Sequence, residues 1–215
     1  MKRIILISTL LCFCISHSQK RKIRPLLWTH HSDNTDTFGV SVGLYPSDLE
    51  YQTTYSRTFG VRIAASPISL LHIFGGKPSQ GNSTHKTYGV NFSTGSLIKM
   101  DVHGVSGTVI TNNFKKMNGI SVSILSNQIE SANGIIAAFG GNGVVQGNGI
   151  MIGGPWSNTA KDFNGIQISF QNDIIEYGTG IQIGLFNNAK RFNGIQIGLW
   201  NKINGKGFPF INWDF

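Results

Sequence analysis

The chain has 215 residues, a formal net charge of +8, 40% hydrophobic residues, 13% charged residues and 27 glycines. Regularly placed apolar residues exclude a solvated, disordered chain, and frequent glycine without helical periodicity excludes a helix-rich domain. The cysteines, Cys12 and Cys14, both fall near the start, which excludes a disulfide framework or a thiolate metal site in the body of the chain.

Residues 1–18 read as a secretory signal. Lys2 and Arg3 precede the apolar stretch Ile4 to Ile15, and Ser16-His17-Ser18 suits cleavage before Gln19. Removing Lys2 and Arg3 lowers the charge from +8 to +6. Leu11 and Phe13 are bulky where a lipoprotein signal wants a small residue. Export follows as the expectation: cell surface, outer membrane or periplasm of a Gram-negative bacterium, with no nucleic-acid partner. Residues 19–36 read as an irregular basic leader, with Lys20, Arg21, Lys22 and Arg24 either solvated or against anionic envelope lipid or polysaccharide.

A single β-repeat domain is expected over residues 37–215. Thr37 to Tyr45, Thr58 to Ala64 and Ile68 to Phe74 read as strands within an irregular region, 37–87, and Gly75 to Lys86 as a polar loop. Regular repeats fill 88–201, and 202–215 reads as a C-terminal cap.

The repeat is carried by Gly89, Gly104, Gly119, Gly134, Gly149, Gly165, Gly180 and Gly194, at steps of 15, 15, 15, 15, 16, 15 and 14. Val or Ile follows each, and Asn118, Asn133, Asn148, Asn164 and Asn193 precede five of them. A fixed period means one structural unit stacked many times. In Gly180-Ile-Gln-Ile-Gly-Leu-Phe-Asn187 and Gly194-Ile-Gln-Ile-Gly-Leu-Trp-Asn201 the residues alternate as in a strand with one buried face. The apolar set, Ile181, Ile183 and Leu185, is the natural choice for the inside, so that Ile183→Asp would put a charge in the core. Connectors such as Asn188-Ala-Lys-Arg-Phe192 separate the strands.

Two all-β architectures fit this period. In a β-solenoid each repeat of about 15 residues is one coil, Asn187 and Asn201, or Asn118, Asn133 and Asn148, form side-chain ladders, and glycine relieves a positive-φ corner. In an outer-membrane β-barrel, a pore or an anchor, each repeat is one strand and a turn. The ending Ile211, Trp213, Phe215 resembles the terminal signature of such barrels. Yet Ile195, Ile197 and Leu199 cover only roughly 14 Å at about 3.4 Å per residue, against a lipid-facing band about 25 Å tall. The solenoid is the expected fold.

The copies GIQISFQN, GIQIGLFN and GIQIGLWN, with the ending PFINWDF, resemble a family of Gram-negative envelope proteins. These are short surface-repeat proteins of spirochaetes and Bacteroidetes, with repeats of the form Asn-Gly-x-Gln-Ile-Gly-Leu-x-Asn. The match is close over 164–215, looser over 88–158, where Gly107 and Ala137 replace an apolar strand residue, and poor before residue 75. The resemblance implies an exported envelope protein, with a structural or adhesion role, and carries no catalytic residue.

The residues point to no enzyme, no cofactor, no metal and no small-molecule substrate. Gly140 to Gly147 lacks the third glycine of a dinucleotide loop, the Lys-Ser/Thr of a phosphate loop and the Asp of a calcium-binding nonapeptide, and reads as a turn-rich repeat. His30, His31 and Asp33 make a weak metal set, and Asp101 with His103 reads as surface polarity. Gln167, Gln182 and Gln196 recur at one repeat position. On the expected facing they form an outward row beside Phe186 and Trp200, a candidate binding stripe for envelope polysaccharide or a surface protein.

Overall fold

The computed structural model describes residues 21–28, 34–44, 55–65, 85–96 and 99–215. The fold is an all-β solenoid. Its strands are β1 (Lys22–Trp28), β2 (Thr35–Leu44), β3 (Ser56–Ala65), β4 (His85–Ser93), β5 (Met100–Thr108), β6 (Thr111–Ser123), β7 (Ser126–Ala138), β8 (Gly141–Gly153), β9 (Ser157–Ile168), β10 (Gln171–Ile183), β11 (Phe186–Ala189), β12 (Phe192–Ile203) and β13 (Lys206–Asp214). β1 to β12 pair in parallel in chain order, and β10 also pairs with β12 across the short β11. This order is incompatible with a barrel of antiparallel strands. Among the described strands only β13 runs antiparallel, against β12, and covers that edge of the sheet.

The glycine row sets the register. Gly39, Gly60, Gly89, Gly104, Gly119, Gly134, Gly149, Gly165, Gly180 and Gly194 are direct neighbours from strand to strand. Their φ values lie between +116° and +151°, a region closed to side chains, and a Cβ on any of them would overlap the backbone of the preceding coil. The exception explains the rule. Leu26 holds the same register position in β1 with φ +72°, and it is 82% exposed, with no described coil on its outer side. The row therefore starts two strands before the residues 88–201 read as regular repeats. β1 also corrects the leader: Lys22–Trp28 is strand, not irregular chain. Residues 1–18 and the strand expected at Ile68 to Phe74 lie outside the described residues. Gly140 to Gly147, expected to be turn-rich, falls from Gly141 onward in strand β8.

The alternation along each strand is as expected, but its direction is reversed. Gln167, Gln182 and Gln196 point inward and are at most 1% exposed, whereas Ile183, Ile197, Leu185 and Leu199 are 39%, 43%, 39% and 56% exposed. A coil of about 15 residues encloses a narrow interior, and amides suit it because their hydrogen bonds run along the axis from coil to coil. Seven asparagines form the main ladder, with Nδ2 of each donating to Oδ1 of the next: Asn112, Asn127, Asn142, Asn158, Asn172, Asn187 and Asn201, at 2.8–3.1 Å. The second hydrogen of five of them goes to an inward-turned carbonyl at the corner, Ala137 O, Ile152 O, Ile168 O, Ile183 O and Ile197 O, at 2.8–3.0 Å. Each such Asn thus joins two coils and satisfies a turn. The glutamines form a second ladder, Gln196 to Gln182 to Gln167, at 2.6 Å per step.

Apolar residues fill the other half of the interior, from Met100 to Ile203. Volumes are balanced from coil to coil. Phe163 faces Gly147 and Phe192 faces Gly178, where a Cβ would come within 2.7 and 2.8 Å of the respective ring. Ala160 and Ala189, on the same coils as Phe163 and Phe192, complete the compensation. The first coils have a polar interior instead: Thr37 and Ser41 in β2, Thr58 and Arg62 in β3, His85, Thr87 and Asn91 in β4.

Candidate functional site

With the amides inside, the β-branched residues of the repeat are left outside, where the parallel register aligns them in rows. One row is Val40, Val61, Val90, Val105, Ile120, Ile135, Ile150, Ile166, Ile181 and Ile195, ending opposite Trp213. The next runs from Val42 through Ile63, Phe92, Gly107, Val122, Ala137, Ile152, Ile168, Ile183 and Ile197 to Ile211. Neither row contains a charged or hydrogen-bonding side chain apart from the Trp213 indole. A third set, Val109, Ile124, Phe139, Phe170, Leu185 and Leu199, follows at the corner and is 39–73% exposed. Together they make a continuous, uncharged, apolar sheet face along the solenoid. Eleven strands about 4.8 Å apart and rows about 6.8 Å apart give roughly 700 Å², above the range of the largest apolar patch on an ordinary monomer.

A row of different chemistry borders this face. Phe38, Phe59, Tyr88 and His103 stack with centroids 4.9–5.0 Å apart and planes within 9°. The row continues as an amide ladder: Asn118 bonds His103 Nδ1 at 2.9 Å, and Asn133, Asn148 and Asn164 each donate to the preceding Asn at 2.9–3.0 Å. Thr179 Oγ1 closes it on Asn164 Oδ1 at 2.7 Å. The expected Asn118–Asn133–Asn148 ladder is therefore present, as is Asn187–Asn201. The stacked rings cover one another's faces and present edges, which suits a sugar face poorly.

The expected binding stripe does not form as one surface. Gln167, Gln182 and Gln196 are together but sealed inside, while Phe186 and Trp200 are 45% and 50% exposed at the opposite end of their turns. The ladder's ends are imperfect: Gln167 Nε2, Gln196 Oε1 and Asn212 Nδ2 are buried without partners. Gln196 and Asn212 are direct neighbours across β12 and β13, so acceptor and donor face the same junction.

Charged groups lie away from the apolar face. Asp36 in β2 accepts from Arg21, just before β1, at 2.5 Å and from Arg57 in β3 at 2.6 and 2.8 Å. The hydrogen-bonded Arg57 guanidinium, helped by Arg21, holds its carboxyl below the ordinary value. Asp101 pairs with Lys86 at 3.3 Å rather than with His103. On the connector side an open groove of about 560 Å³ contains Gly143, Val145 and Ile175, flanked by the pairs Lys99–Glu130 and Lys161–Glu176. Each of its charges thus has an internal partner. Ser56 and His85 Nδ1 meet at 2.5 Å, but both are sealed in the interior, and burial, then the Arg62 charge, pushes the imidazole down to about 3. This pair is closed to substrate. Among the described residues no three His, Cys, Asp or Glu side chains could together hold a metal; His30, His31 and Asp33 lie outside them.

Sequence reasoning missed the apolar face because it assigned isoleucine to the core. The signal available was the polar residue at the inward position of most repeats, Ser41, Asn91, Ser106, Ser121, Gln167, Gln182 and Gln196, with Ile136 and Met151 as the apolar exceptions. No family model matches the chain, and no curated protein or solved structure matches it.

Proposed function

We propose that this chain is an exported, non-enzymatic envelope protein that acts as a rigid docking scaffold. The continuous apolar sheet face carries this reading. A folding requirement does not account for its extent, since the interior is built without those residues, and a large uncharged patch exposed to water is characteristic of an interaction surface. The backbone behind it is locked by the glycine register and two interior amide ladders, which suits presentation of a surface better than movement around a substrate. Export is supported by Lys2, Arg3 and the apolar run to Ile15, and by the likeness of residues 164–215 to envelope surface repeats.

The test is expression of the full chain in a Gram-negative host, with mass spectrometry of its N-terminus, cell fractionation and protease accessibility on intact cells. Loss of the first 18 residues with recovery in an envelope fraction is the expected result. An unprocessed chain in the cytosol would refute the export part of the proposal.

A further inference from the structure

We infer that the apolar sheet face is occupied by a second copy of this chain, packed face to face. The inference rests on the docking reading above and names its partner. Three observations favour a second copy over other occupants.

The first is size. Roughly 700 Å² per copy approaches the ~800 Å² that each partner of a stable protein interface contributes, whereas a small ligand would cover a fraction of it. The second is charge. The two long rows, from Val40 to Trp213 and from Val42 to Ile211, carry no ionised side chain in any strand, so two copies related by a two-fold axis meet without like-charge repulsion. The third is where the cations sit. Lys190 and Arg191 lie between β11 and β12, Lys115, Lys161 and Lys202 lie in β6, β9 and β12 outside the two long rows, and the amide ladder Asn118 to Asn164 separates those rows from Lys116. A face built for an anionic lipid surface would carry its basic residues at the apolar rim, where they reach the headgroups. Here the rim is amide from Asn118 to Asn164, and along its aromatic half the flanking cations, Arg57 over the Phe59 ring and Lys86, are paired with Asp36 and Asp101.

Two such sheets packed about 10 Å apart form a β-sandwich whose inner layer is isoleucine and valine. The contact is isologous, so it closes at two copies and leaves the connector sides of both outward. Each copy then covers the other's outer apolar layer, which the interior cluster from Met100 to Ile203 does not touch across the sheet.

The experiment is sedimentation equilibrium of the full chain in detergent-free buffer over a wide concentration range. It compares wild type, Ile168→Glu/Ile183→Glu on the face, and Lys190→Glu/Lys202→Glu on the connector side. Circular dichroism checks the fold, and the β-branched pair Ile168→Thr/Ile183→Thr replaces the Glu pair should that not fold. Co-flotation with vesicles of phosphatidylcholine and phosphatidylglycerol, three to one, is run on the same samples. The expected result is a dimer that the face variant weakens by at least about a hundredfold and the connector variant leaves unchanged, since four unpaired carboxylates enter the interface. A dimer unaffected by a folded face variant overturns the inference, as does open-ended polymerisation. A monomer that floats with vesicles, and stops floating in the face variant, overturns the second copy while leaving the docking reading intact. A monomer that does not float overturns both.

Discussion

Gly149→Ala tests the central structural claim, that the glycine row is a packing requirement between coils and more than a series of turns. Gly149 has φ +125°, and a Cβ there would overlap the Gly134 carbonyl oxygen and lie 2.9 Å from its carbon. Placing an L side chain at such a φ costs about 1–2 kcal/mol. The overlap adds to this, because the obstructing atoms are backbone in the next coil and cannot rotate away. Relief requires separating β7 and β8 locally, which sacrifices ladder hydrogen bonds on both sides, so the total is about 3–5 kcal/mol. Gly205→Ala is the matched control. Gly205 has φ +79° but nothing within 4 Å of the added carbon, so only the conformational cost of about 1 kcal/mol applies. The gain from stiffening the unfolded chain is common to both variants and cancels in the difference. Urea unfolding followed by circular dichroism measures both. Equal losses in the two variants would refute the argument that coil-to-coil contact, and not backbone conformation alone, selects glycine.

Asn142→Ala removes the middle of the interior ladder, stranding Asn158 Oδ1 and the Ile152 carbonyl; a loss of about 2–4 kcal/mol in urea unfolding is expected, against less than about 1 kcal/mol for the exposed Asn133→Ala. Gln182→Ala should destabilise more than Ile183→Ala, by about 1–2 kcal/mol, since Gln182 is sealed between two glutamines and Ile183 is 39% exposed; the reverse order in the same assay would restore isoleucine to the core. His85 stays neutral in the fold down to about pH 3, whereas the unfolded chain takes up its proton near the ordinary 6.5. Unfolding therefore binds a proton between these values, so the His85 contribution to stability falls with falling pH by up to about 1.4 kcal/mol per unit. Wild type minus His85→Gln, measured from pH 8 to pH 4, isolates that slope, and a pH-independent difference would contradict it. Hydrogen exchange should open β1 to β4 before β6 to β12, because the continuous apolar cluster begins at Met100; uniform protection would show that the polar interior of the first coils costs nothing.

The period, the parallel stacking of coils and the two asparagine ladders were all legible in the sequence, because they depend only on spacing and on glycine's freedom at positive φ. The start of the row was harder to read, since Gly39 and Gly60 stand at longer intervals and Leu26 occupies the first position as an exposed non-glycine. The facing of the strands was misread for a physical reason. Alternation states which residues share a side, and hydrophobicity normally states which side is inside. Here the second rule fails: a narrow coil makes its interior from hydrogen bonds that repeat along the axis, and Gln182, with its neighbours at one strand spacing, satisfies that geometry as Ile183 cannot.

That reversal is also the best argument about function. An isoleucine row on the outside gains some burial from its neighbours one strand away, and β-branched residues favour the strand, so part of its presence is structural. These effects do not explain its extent. Serine or threonine would hold the same strands at much lower aggregation risk, yet outward polar residues are confined to the neighbouring amide row and to the connectors. The long rows of Val and Ile run without a charge from β2 to β12, past coils whose interiors change from Ser41 and Arg62 to Met151 and then Gln182. The inside of the solenoid varies from coil to coil while the outer face keeps its chemistry. A surface held constant over a changing interior has to match something of the same length and the same apolar character, and another copy of that surface meets both conditions.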